Sequence, residues 1–332
     1  MEAGVTVTLA VRTSAAAPAR AAALALLRRT GSAVLVVWGA ITLTFVALHS
    51  IPGDIVDAVL GTTQVTPAIR ARIVSDYALD QPLTTQYAGY LGRLLHGDLG
   101  RSYSQGMPVS TLIGQQASST FVLMLAAILF ALVLAIVVAV ATANRPRWLR
   151  GPAVTAEVVS LAVPSFWLGI LLLTVFSFQL HWFPAIGASG LDGLVLPAIS
   201  LGLAPAAMLS QVLRQGLERV LDEPFIVTAR ARGLRPAVVL VRHALRHAIL
   251  PVVTLTGWLF GAFVSGAVVV ENVFSRQGLG RLTTSAIGQR DFPTVSAIVL
   301  VAAVVYIVVN LLVDVLYPLI DPRLREPGAV ER

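Results

Sequence analysis

The stretch DEPFIVTARARGLRPAVVLVRHALRHAILP, residues 222–251, is the one long polar interruption in the otherwise apolar C-terminal half of the chain, and it reads as a loop that docks something. Asp222 is a preferred helix N-cap, Pro224 is tolerated in a first turn where its missing N–H costs nothing, and Gly233 suits a left-handed C-cap. Together they predict a short helix of about three turns. On it Phe225, Ala229 and Gly233, spaced i, i+4, i+8, share a face: one bulky apolar knob followed by two small residues that let a partner surface come close. A second short helix starts at Arg235-Pro236 and runs through Arg242, His243, Arg246 and His247, until Leu250-Pro251 turns the chain into the next apolar span. The competing reading is a basic loop resting on anionic lipid head groups, which needs only the arginines and makes no demand on Ala229 or Gly233.

The rest of the composition fits a membrane protein. Of 332 residues 56% are hydrophobic and only 12% charged, too little charge to cover a soluble globule of this size, and the mean hydropathy is +0.82. Cysteine is absent, which excludes disulfides, thiolate zinc sites, iron–sulfur clusters and cysteine nucleophiles. The net charge of +7 is carried by arginine alone, because the chain has no lysine. That excludes a P-loop of the GxxxxGK[ST] type, so ATP use by this route has to come from another chain.

Residues 1–29 form an Ala/Arg-rich tail with Arg12, Arg20, Arg28 and Arg29. The apolar run behind it, to about residue 51, shows no small-x-small cleavage site, so it reads as an uncleaved first span (30–51) and not as a secretory signal peptide. Residues 52–117 turn polar and read as a large extramembrane loop with a helix over 66–77, Asp54 and Asp98 serving as turn residues. A core over 118–321 holds five further apolar spans, at about 119–143, 154–179, 194–213, 249–270 and 293–316, with the docking loop at about 214–248 and a short tail over 322–332. The fold class is therefore an all-α polytopic membrane protein with six transmembrane helices. With the N-terminus cytoplasmic, the inner segments carry 17 arginines and the outer ones 7, so the positive-inside rule places both termini and the polar loop in the cytoplasm.

Ionisable residues inside the spans are scarce. His49, Glu157, His181 and Asp314 lie near span ends, and no acid, histidine or nucleophile is placed as a proton carrier or an intramembrane hydrolase requires. Glu157 and Asp314 read as partners of backbone or of an arginine at the interface. His243 and His247 have the i, i+4 spacing of metal ligands but no glutamate in the HExxH order, so no metal or cofactor site is assigned. Pro164-Ser165 in the third span, and Pro197 and Pro205 in the fourth, read as helix breaks, either simple kinks or places where freed carbonyls line a pathway.

The run TARARGL followed by VLVRHALRHAILPVV resembles the cytoplasmic loop of binding-protein-dependent ABC importer permeases of the dipeptide/oligopeptide/nickel branch. Ala229 matches the second alanine and Gly233 the glycine of that family's EAA…G motif, and Leu245 also matches. Val227 and Thr228 replace its glutamate and first alanine, and His243 and Arg246 replace an isoleucine and a proline. Ile51-Pro52-Gly53-Asp54, Gly97 to Ser102, Val163 to Gly169, Val270 to Gly280 and Asn310 to Arg323 are similar to the same family, in order along the chain. The resemblance implies a type I importer fold in a bacterial plasma membrane. It implies an ATPase-coupling loop carrying Asp222, Glu223, Phe225, Ala229, Arg230, Gly233 and Leu245. It implies a heterodimer with a second permease, two ABC ATPases that use ATP and Mg²⁺, and an external substrate-binding protein. The chain itself would catalyse nothing, bind no cofactor and contact lipid but no nucleic acid. Di- or oligopeptides are the expected cargo, with nickel or another small solute as the alternative. An ion-coupled secondary transporter and an intramembrane enzyme are the alternatives of other classes.

Overall fold

A computed structural model describes the backbone of residues 16–50, 71, 74, 80–185 and 190–320, and side chains within that set from 27 to 312. In chain order the helices are α1 (Ala16–His49), α2 (Leu83–Leu95), α3 (Val109–Thr142), α4 (Arg147–Ala162) and α5 (Ser165–Leu172, continued by a π-helical run Leu173–Gln179). Then come α6 (Asp192–Leu221), α7 (Pro224–Ala231), α8 (Pro236–Val238, a π-helical run Val239–Ala244, and Leu245–Ala248), α9 (Leu250–Val273), α10 (Leu279–Gly288) and α11 (Phe292–Ile320). Among the described residues the only β-type pairing is one isolated bridge, Arg101 with Pro108. The helix expected over 66–77 falls outside the described residues except at positions 71 and 74, which are helical.

Proline starts many of these helices. Pro82, Pro108, Pro146 and Pro164 stand at the N-caps of α2 to α5, and Pro224 and Pro236 in the first turns of α7 and α8, none with a side-chain capping bond. The ring fixes φ near the helical value and has no N–H to leave unsatisfied.

Among the described residues five helices are long and apolar enough to cross a membrane, and α4 with α5, bent by 105°, makes a sixth where the pair counts as one span. The expected straight span over 154–179 is therefore broken. Pro164 forces Val163 into an extended conformation (φ −82°, ψ 121°), and α4 ends there. The partners along α6 show how α4 approaches the elbow: Arg150 pairs with Glu218, Glu157 with Arg214, and the Ser165 carbonyl accepts from Ser200 Oγ at 2.6 Å. From 218 to 200 the contacts climb about 27 Å of helix. Pro197 and Pro205, by contrast, do not break the fourth span. Both lie inside a continuous α6, where each removes one backbone bond and neighbouring helices hold the rest in line. That helix also runs on past the expected end at Leu213 to Leu221, so Arg214 and Arg219 belong to it and not to the loop.

α6 is the axis of the bundle, with α3, α4, α5, α8 and α9 around it. Its closest neighbour is α3, which turns Ala127, Ala131, Ala135 and Ala139, one small residue per turn, toward the core. Between helices in lipid there is little hydrophobic drive, so close backbone approach through small residues supplies the attraction. The contact is tightest at Gly202, where an added Cβ would stand 2.7 Å from the Ala127 carbonyl oxygen and 2.9 Å from Phe130. Gly202→Leu is expected to prevent recovery of monodisperse protein in mild detergent, whereas Gly114→Leu, at an open position on α3, is recovered as wild type. Equal recovery of the two by size-exclusion chromatography would remove the packing argument. α1 packs instead on α11, at the edge of the bundle.

Candidate functional site

The polar loop hangs directly from α6. Asp222 closes that helix (φ −91°, ψ −4°), and Glu223, extended at φ −72° and ψ 147°, takes the N-cap of α7. The cap expected at Asp222 thus sits one residue later, because the residue before a proline is driven out of helical geometry. α7 is eight residues, about two turns and not three, and ends through Gly233 at φ +79° with its N–H on the Arg230 carbonyl at 2.9 Å.

The expected shared face of Phe225, Ala229 and Gly233 does not form. Ala229 and Ile226 are buried against the chain's own core, where α7 meets the π-helical run of α8, while Phe225 and Gly233 are exposed. Phe225 lies beside His247, ring centroids 5.1 Å apart. Val239, Ala244 and Ala248 anchor α8, with Leu245 half-buried beside them. Besides Phe225, the apolar residues that face outward are Val227 (59% exposed), Leu234, Val238 and Val241 (53%), among the exposed Arg230, Arg232, Arg235, Arg242 and Arg246.

Beneath the loop, inside the bundle, lies a charge node that the sequence reading did not assemble. Arg214 of α6 makes a two-pronged contact with Glu157 of α4, Nη2 to Oε2 at 2.6 Å and Nη1 to Oε1 at 2.8 Å. Ser210 donates to the same carboxylate at 2.6 Å, and Arg214 Nη1 also reaches Thr142, the last residue of α3, at 3.2 Å. Both charged side chains are about 95% buried. The sequence places Arg214 at the edge of the loop, whereas it belongs to α6. The overlooked signal was Ser210, Arg214 and Glu218 at i, i+4, i+8, a polar face on an otherwise apolar stretch.

At the opposite end two carboxylates hold the turns. Glu271, fully buried near the end of α9, accepts from Thr120 at 2.5 Å and from the backbone N–H groups of Gly280 (2.8 Å) and Arg281 (3.2 Å), so it caps α10. In the connecting loop burial lowers the pKa of Arg276, and the Glu271 charge opposes that shift. Asp291 precedes α11 and accepts from the hydroxyls of Ser102 and Ser104 and from the Tyr103 N–H, which ties the end of the 52–108 region to the last span. Asp98 accepts from the Gly100 N–H at 2.9 Å as a turn residue. Between α3, α9, α10 and α11 an apolar cavity of about 150 Å³ is lined by Phe121, Met124, Phe260, Val264 and Val305, with Thr120 and Thr283 at its polar edge. Pro164 and Ser165 stand at the elbow, near the buried Gly169, which packs against Ser200, Val273 and Phe274. Pro197 and Pro205 lie on α6, away from any break.

These features define a multi-pass all-α membrane protein with an arginine-rich polar loop and, among the described residues, no group of three or more His, Cys, Asp or Glu that could hold a metal ion. The family described as binding-protein-dependent transport system inner membrane component matches residues 131–326, and the N-terminal region of such components matches residues 24–111. The chain belongs to that family. It is 36% identical to the oligopeptide transport system permease protein AppB of Bacillus subtilis over 311 residues, 90% of this chain and 98% of the relative. It is also 36% identical to the glutathione transport system permease protein GsiC of Salmonella choleraesuis, and 37% to that of Pectobacterium atrosepticum, in each case over 85% of this chain and 92% of the relative. The chain is thus a permease subunit of a peptide-type ABC importer, which works as a complex with other subunits.

Proposed function

We propose that the chain forms half of the translocation pathway for di- or oligopeptides in a bacterial plasma membrane, paired with a second, related permease. Two ABC ATPases bind Mg²⁺ and ATP on the cytoplasmic side, where both termini of this chain also lie, and an external binding protein delivers the cargo to the large first loop. The chain hydrolyses nothing itself, in keeping with the absence of lysine and so of a P-loop. Relatives whose names specify oligopeptide and glutathione, both built on peptide bonds, support peptide cargo over nickel.

The observation that carries the reading is the outward set Val227, Leu234, Val238 and Val241. It is apolar surface on a loop otherwise studded with arginines, placed at the end of the bundle's axial helix. Lipid head groups attract the arginines; the valines between them suit an apolar groove on a partner protein. The reading requires the loop on the side where ATP is. A reporter fused after Leu221 should be cytoplasmic and one fused at Ser104 external; the reverse pattern at both sites would exclude the proposal.

A further inference from the structure

Glu157 is the only buried residue of α4. The helix packs along α6 yet gives that contact no buried apolar side chain, and its exposed residues include Trp148, Leu149, Val158, Val159 and Leu161. Its attachment is electrostatic. The Glu157–Arg214 pair lies inside the bundle, and Arg150–Glu218 at 3.0 Å forms an outer, half-exposed rung four residues further along α6. Desolvating two charges is costly, and a pair of well-packed apolar residues would hold two helices as firmly or more so, so stability alone does not account for the pair.

The surroundings indicate what it does. α6 is continuous from the Ser165–Ser200 contact to the loop, and Arg214 lies seven residues, about 10 Å, before the end of that helix. On the other side α4 leads within seven residues to the elbow at Pro164 and so to α5, which packs on α6 and the end of α9 through Gly169. We propose that Glu157 and Arg214 are positioning residues, a clamp that makes α4 move with α6 so that a displacement of the 222–249 loop reaches the elbow. The clamp itself is independent of the importer reading; its part in transport rests on that reading.

The absence of cysteine allows spin labels at chosen sites only. Labels at Leu149→Cys and Arg219→Cys, both exposed, report α4 against the end of α6. In the lone chain in lipid nanodiscs a single narrow distance distribution is expected, and the combined Glu157→Gln and Arg214→Met exchange, which leaves no buried charge, should at least double its width. An unchanged width overturns the clamp. In the complex purified with its native ATPases, vanadate trapping should leave the 149–219 distance the same while a label at Phe178→Cys on the π-helical run of α5 shifts relative to 219. Any other combination overturns the transport role, as does uptake per ATP hydrolysed in the exchanged variant within twofold of wild type, where a drop of tenfold or more is expected. If no ATPase co-purifies with the unaltered chain, it is the importer reading that fails, and the lone-chain measurement still decides the clamp.

Discussion

Gly280→Ala is expected to leave little folded protein. The added methyl would sit against the Val268 Cα and 2.9 Å from both the Val268 nitrogen and a Glu271 carboxylate oxygen. Backbone cannot rotate aside, so α10 must lift off α9, and doing so pulls the Gly280 and Arg281 N–H groups away from Glu271. Overpacking of this kind costs about 1–3 kcal/mol, and the lost cap adds about 1 kcal/mol. A fully buried carboxylate left short of donors adds a further penalty. The control is Gly288→Ala on the same helix, where a Cβ meets nothing within 4 Å and alanine is the better helix former. Thermal unfolding in detergent should show Gly280→Ala melting well below wild type, with Gly288→Ala equal to it or above. Matching melting temperatures for the two variants would mean that α10 is not held as described.

Val227→Arg is expected to abolish uptake while leaving the fold intact. The side chain is 59% exposed and no part of the chain's own core depends on it. In a protein groove the new guanidinium would have to be desolvated without a partner, at a cost of several kcal/mol. Against anionic lipid the same change is favourable by about 1 kcal/mol, so wild-type uptake and ATPase recovery would identify the loop as a lipid contact. Gly233 is a poorer probe than its place in the motif suggests. At φ +79° any larger side chain is strained, by about 1–2 kcal/mol for most residues, so Gly233→Arg would mix strain with any clash. Gly233→Asn is the useful companion, because asparagine tolerates that conformation and the space around its Cβ is open within the chain. A loss of uptake there reports contact from outside.

What could be read from the sequence follows the range of the interaction. Spans and loop are legible because hydropathy and polarity act through neighbouring residues, and 27–49, 121–142 and 292–312 are predominantly apolar, whereas the first turns of α3, with Gln115 and Gln116, read as loop. The start of α7 was legible to within one residue, and the error came from weighing the capping preference of Asp222 above the constraint Pro224 sets on Glu223. Prolines showed the limit of local reading: Pro164 breaks its span while Pro197 and Pro205 do not, and the difference lies in what packs alongside. An arginine partner for Glu157 was legible, but which arginine was not. Glu157 and Arg214 are 57 residues apart and meet only because α4 runs antiparallel to α6. The Gly278-Leu279-Gly280 segment was noticed as a family likeness, but its cause, a carboxylate nine residues upstream that leaves no room for a Cβ, appears only once α10 folds back onto α9.

The packing of α1 against α11 has a consequence for how the chain is made. Among the described residues these are the first and last helices long and apolar enough to cross a membrane, so α1 waits while the 242 residues between His49 and Phe292 are synthesised. At about 5–20 residues per second that is roughly 12 to 50 seconds. During that time α1 has α2 beside it, through the Thr42–Tyr87 hydrogen bond and Phe45 against Tyr87 and Tyr90, and is otherwise exposed to lipid, which a helix with its backbone bonds closed internally and a mean hydropathy of 2.1 tolerates well. The bundle around α6 can assemble meanwhile, and the arrival of α11 brings the first helix in last. A chain cut short before residue 292 would therefore carry a core that is largely built and an N-terminal helix held by α2 alone.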